Sequence, residues 1–185
     1  MINETQHWKR ELDRWSGELS RKQRQRVWTA PTNARVERCV LLGFYAIRKL
    51  LESKKLSLPT AERNVSLVAF SRGIIATKPV LAPLLSVHYN LEQPVEKSLG
   101  LGAVCHQVVH SYVFSVVVKP GVGLQGFFLA SDWKRNEQLL FVEAEETIDV
   151  FSRVAKDRAG EFDPSVREKI GDDMEAWTGF PLALK

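Results

Sequence analysis

Long apolar runs are missing from this chain of 185 residues. The longest, residues 40–47 and 80–87, are short or broken by Pro83, well below the roughly 18–20 residues of a membrane span. Cysteine is also scarce. Cys39 and Cys105 sit inside apolar segments rather than at the spacings of a disulfide framework, so both are expected to be small buried thiols in a reducing compartment. The N-terminus is polar and charged from its fourth residue, the wrong order for a secretory signal, and the expected location is cytoplasmic with no membrane partner. Low-complexity tracts, internal repeats and linkers are absent as well. What remains is a composition of 44% hydrophobic and 26% charged residues, ordinary for a globular protein, on a chain of a length that suits one domain over 1–185.

The charge is unevenly spread. Residues 1–60 carry 13 Lys and Arg against 6 Asp and Glu, whereas residues 137–175 carry 5 against 12. A basic end of this kind either forms a footprint for a polyanion or packs against an acidic surface, its own or a partner's.

Periodicity predicts the elements. Trp8, Leu12, Trp15 and Leu19 recur at steps of four, three and four, which places them on one face of a first helix. Arg14, Glu18 and Lys22 then fall on its exposed side, and the helix is expected to continue into RKQRQR (residues 21–26) and stop before Pro31. A second helix over residues 35–52 buries Val36, Val40, Phe44, Ile47 and Leu51, widened by Cys39, Gly43 and Leu50. Residues 65–70, 74–77 and 84–91 have strand character, with Pro94 closing that region and Ser98 capping a helix to about residue 111. Segments 112–118, 124–130 and 139–142, joined by KPGVG and SDWKRN, read as a three-stranded antiparallel meander. Two helices follow. One covers residues 145–158, and the other starts at Asp163–Pro164 with Val166, Ile170, Met174 and Trp177 on one face. The expected class is therefore α+β: two N-terminal helices, a central mixed segment with the meander, and two C-terminal helices.

Four motifs bear on chemistry. GVGLQG (residues 121–126) matches the dinucleotide fingerprint by letter, yet Phe127, Phe128 and Leu129 continue as a strand where that fold needs a helix, so its glycines read as turn residues. HQVVH places His106 and His110 four apart on one helix face, the spacing a metal ion needs. It resembles the H-E-x-x-H motif of zinc metalloproteases, but Gln107 stands where that family has its general base and cannot take a proton from a metal-bound water. Asp132, or by position Glu137, would be the third ligand of a divalent metal here. In the SDWKRN turn, Asp132, Trp133, Arg135 and Asn136 form a candidate ligand-binding cluster, with the arginine for an anion and the indole for stacking.

The fourth motif is basic. Arg21, Lys22, Arg24 and Arg26 lead to Trp28 and then to Arg35 and Arg38, the combination of cations with an interleaved aromatic that binds phosphates and stacks on a base. No helix-turn-helix, zinc-finger or RNA-recognition signature accompanies it. The helical beginning is similar to that of HEPN ribonucleases. None of His7, His88, His106 and His110 follows an arginine at that family's spacing, so the likeness implies no activity. A nucleophile elbow is absent too, and Glu145–Glu146 and Asp172–Asp173 read as surface charge. The sequence thus points to a binding or regulatory protein that is not an enzyme and engages nucleic acid or an acidic surface through its basic N-terminal region, needing no cofactor. The alternatives are a metal-dependent hydrolase at His106 and His110 and a protein-interaction module, with a homo-oligomer as one form of it.

Overall fold

A computed structural model describes residues 5–73 and 85–159. Its architecture is α+β. Helix α1 (Thr5–Lys22) and helix α2 (Ala30–Glu52) are followed by a single turn, α3 (Leu58–Ala61), and strand β1 (Asn64–Arg72). After a second single turn, α4 (Leu85–His88), come β2 (Tyr89–Gly100), α5 (Leu101–Val109), β3 (Ser111–Lys119), β4 (Gly123–Ser131), β5 (Gln138–Glu143) and α6 (Ala144–Lys156).

The five strands form one antiparallel sheet in the order β2-β1-β5-β4-β3. The expected meander is its β3–β4–β5 half, because branched and aromatic residues alternate there between turns that reverse the chain. Helix α5 carries the chain from one edge strand, β2, to the other, β3. Alternation then sorts the side chains. Val65, Leu67, Leu129, Leu140 and Val142 face the helices, while Phe70, Val113, Ala130 and Leu139 face the other side with Leu85 and Tyr89. Phe44 of α2 meets Phe151 of α6 edge to face, ring centroids 5.3 Å apart, and Phe151 lies where any Cβ on Gly43 would be. The glycine is what lets α2 and α6 approach that closely.

Several expectations change. Pro94 does not close a region; it lies inside β2, opposite Phe70, where an edge strand tolerates the missing N–H. Ser98, likewise in β2, pairs with Ser66 of β1 instead of capping a helix, and α5 starts only at Leu101. Residues 85–88 are a helical turn, so the strand expected over 84–91 begins at Tyr89. The buried face of α1 is rotated relative to the tryptophan stripe. Lys9, Leu12, Ser16 and Leu19 are buried while Trp8 and Trp15 flank them half-buried, and Glu18 turns inward rather than pairing with Arg14. The strand expected at residues 74–77 and the helix expected from Asp163 lie outside the described residues. Among the described residues no helix is long and apolar enough to cross a membrane.

Candidate nucleic-acid interface

Helix α1 stops at Lys22, four residues earlier than its polar pattern allows, because the next segment is tied into a loop of its own. Lys22 donates from Nζ to Gln25 Oε1, Gln25 Nε2 donates to the Val27 carbonyl at 2.7 Å, and Trp28 Nε1 donates to the Gln25 carbonyl at 2.7 Å. Thr29 then caps α2, accepting from the Thr32 backbone N–H, with Pro31 in the first turn. A second element holds the loop from outside. Gly123, with φ of +131°, lies against the backbone of Gln23 and Lys22 where a Cβ would overlap the Gln23 carbonyl oxygen. Gly121 and Gly123 therefore serve a tight turn and a close approach, and β4 begins at Gly123 itself and contains Gly126.

On this pinned backbone Arg21, Arg24 and Arg26 are exposed, and none of their guanidinium groups makes a hydrogen bond or ion pair with the described residues. Lys119, exposed at the end of β3, pairs in register with Gly123 and so adds a cation beside the loop. Arg38, more than two turns into α2, is exposed too, its guanidinium without a partner among the described residues. Two expected members stand differently. Arg35 is paired with Glu18, its Nη2 donating to Oε2 at 3.2 Å, which raises the guanidinium pKa and keeps a carboxylate that is only 4% exposed from being buried alone. Trp28 packs half-buried against the main core with its N–H spent on Gln25, so it braces the loop rather than offering a free face.

The histidine pair lies at the other end of β3. His106 and His110 bring their ring centroids to 4.6 Å, and Arg48 of α2 places Nη1 2.9 Å from His110 Nε2. A guanidinium only donates, so this nitrogen is the acceptor and its lone pair is engaged. His106 is held below the ordinary histidine pKa by desolvation, then by His110 and Arg48. Asp132 is beside them through its backbone, its N–H donating to the His110 carbonyl at 3.1 Å, but its carboxylate turns to Arg135 Nη1 at 3.3 Å. Glu137 pairs with Lys134. Among the described residues no group of three or more His, Cys, Asp and Glu side chains is placed to hold a metal ion. Nor do the thiols offer a nucleophile: burial pushes Cys39 up to about 11 and Cys105 up to about 12.

The SDWKRN turn is rigidly built. Lys134 and Arg135 donate from their backbone N–H groups to the Ser131 carbonyl, at 3.0 and 2.8 Å. The Arg135 carbonyl accepts from Arg72 Nη1 and from the Tyr89 hydroxyl, each at 2.7 Å. The Arg135 guanidinium lies 4.0 Å over the ring of Tyr112, while Trp133 projects beyond it, 82% exposed. Asn136 is exposed at the end of the turn. Sequence reasoning found this turn but not its partners Tyr112 and Arg72, nor Arg48 beside His110, because those contacts join residues from separate elements. Tyr45 and Lys49 had a usable signal: with Arg38 and Leu42 they repeat at steps of four, three and four on the face of α2 opposite its apolar stripe.

Comparison with protein-family models, with curated proteins and with solved structures finds no match for this chain.

Proposed function

We propose that the protein binds nucleic acid, or a polyanion of like charge spacing, through the α1–α2 loop, and that it acts as a binding or regulatory protein rather than a catalyst. One observation carries this reading: the guanidinium groups of Arg21, Arg24 and Arg26 stand exposed and without a partner among the described residues, on a backbone fixed by Gln25, Trp28 and Gly123. Unpaired guanidiniums bind phosphates by releasing condensed counterions, and a loop already ordered loses little further entropy when it does so. Lys22, Lys119 and Arg38 extend the same positive surface. Arg35 supports it indirectly, by holding Glu18 where α1 and α2 meet.

Charge reversal of Arg21, Arg24 and Arg26 to Glu tests it. These side chains are exposed and hold no part of the loop, so melting temperature should change little while affinity for a labelled oligonucleotide at low salt falls at least a hundredfold. Retained affinity in the folded variant would remove the loop from the interface.

A further inference from the structure

We infer that the polyanion is single-stranded nucleic acid, and that it runs from the α1–α2 loop along the exposed side of α2 to the Trp133 turn. This rests on the reading above and names its ligand. Two contacts fix the ends of the path. Gln23 lies against Gly123 at one end of the β3–β4 hairpin, and Arg48 meets His110 at the other, where β3 begins. Between them lies α2, whose 23 residues extend about 35 Å at 1.5 Å each.

What lines that path is a mixture of cations and flat aromatics. Arg38, Leu42, Tyr45 and Lys49 form one exposed stripe on α2; Tyr45 is 43% exposed, with Lys49 Nζ 5.7 Å from its ring centre. Beyond it lie Arg48, His106 and His110, then the Arg135 guanidinium stacked on Tyr112, and last Trp133. Carboxylates sit along the same route. Glu52 accepts from both Arg48 and Lys49, Asp132 pairs with Arg135, and Glu37 is exposed beside Arg38. Charge is therefore concentrated at the loop, and the far half depends more on ring faces.

That division selects the ligand. A duplex keeps its base faces stacked inside and would leave Tyr45, Tyr112 and Trp133 idle in water. A saccharide or phosphate polyanion would engage the loop and gain little from the three rings. A single strand presents phosphates to the arginines and unstacked bases to the rings, the pairing of contacts by which such strands are held without sequence preference. Rigid support of the rings fits the same use: the Arg135 carbonyl is anchored by Arg72 and Tyr89, so Trp133 is displayed on a fixed turn.

Fluorescence anisotropy with the full chain tests this, using labelled oligodeoxythymidine of about 12 and about 4 nucleotides and a mixed-sequence duplex of the longer length, all at low salt. We expect the longer single strand to bind at least tenfold tighter than either the short one or the duplex. Trp133→Ala and Tyr45→Ala should each weaken it by about fivefold or more without lowering the melting temperature, since both rings are solvent-exposed. Duplex binding as tight as single-strand binding, or full affinity in both alanine variants, would overturn the path along α2 and leave the loop reading standing. No binding of any of the three probes would overturn both.

Discussion

Gly123 and Gln23, remote in sequence, are packed so closely that a single methyl group on Gly123 would overlap the Gln23 carbonyl oxygen. The contact ties the β3–β4 turn to the loop that displays Arg21, Arg24 and Arg26. Sequence shows a glycine-rich turn and a basic loop; only the fold makes one the support of the other.

Gly123→Ala should therefore separate loop geometry from charge. The new Cβ meets both a φ of +131° and the Gln23 carbonyl, a combination that costs about 2 kcal/mol or more. We expect reduced stability in urea unfolding together with weaker oligonucleotide binding, although no cation is removed. A variant with native affinity and native stability would show that the loop does not depend on this turn.

Lys9 is 2% exposed, and its ammonium donates to the carbonyls of Asp157 and Ala159 with the Asp157 carboxylate 3.8 Å away. Asp157 in turn accepts from the Ser57 hydroxyl at 2.6 Å and the Ala159 N–H at 2.7 Å, so this one cluster joins α1, α3 and the end of α6. Lys9→Met should cost about 3 kcal/mol, read as a lowered urea midpoint at unchanged slope, because it strands buried acceptors. A loss below about 1 kcal/mol would make the cluster dispensable.

Acid should act on that cluster in a known direction. Burial works to raise the Asp157 pKa, but hydrogen bonds from Ser57, Thr60 and Ala159 outweigh it and hold the carboxyl below its ordinary value. The stabilisation is complete above the unfolded value of about 3.9 and is lost as pH falls from there through the lowered folded value. Asp157→Asn should flatten stability against pH in that window. An unchanged profile would assign the acid response to other groups.

His106 titrates at higher pH. Desolvation, then His110 and Arg48, keep its folded pKa below the ordinary value of about 6.5, so the unfolded chain takes up this proton first. Stability from this residue is complete above about pH 6.5 and declines as pH falls through the lowered value. In His106→Gln, thermal melts between about pH 5 and 7 should show a shallower decline than the native protein. A steeper or equal decline would contradict this sign.

The elements were legible where a local pattern decides them. Val36, Val40, Phe44 and Ile47 on α2 are buried as their period requires, and the meander lies within a residue or two of its expected bounds. Failures came where distant residues override the pattern. Lys9 and Glu18 look solvent-facing by residue type, yet each is buried because a partner from another element, Asp157 or Arg35, meets it there. Pro94 reads as a breaker until its strand is known to be an edge. In the candidate interface the loop arginines and Trp133 were visible in the sequence. Tyr112 against Arg135 and Arg48 against His110 were not, since no local spacing encodes a contact between elements far apart in the chain.

Salt dependence of oligonucleotide binding by the native protein bears most directly on the proposal that the arginine loop grips phosphates. With about four phosphates neutralised at about 0.7 released counterions each on a single strand, log affinity should fall against log salt with a slope near −3, about fiftyfold between roughly 50 and 200 mM. Binding that is undetectable at the lower concentration, or that is unchanged at the higher one, would contradict it.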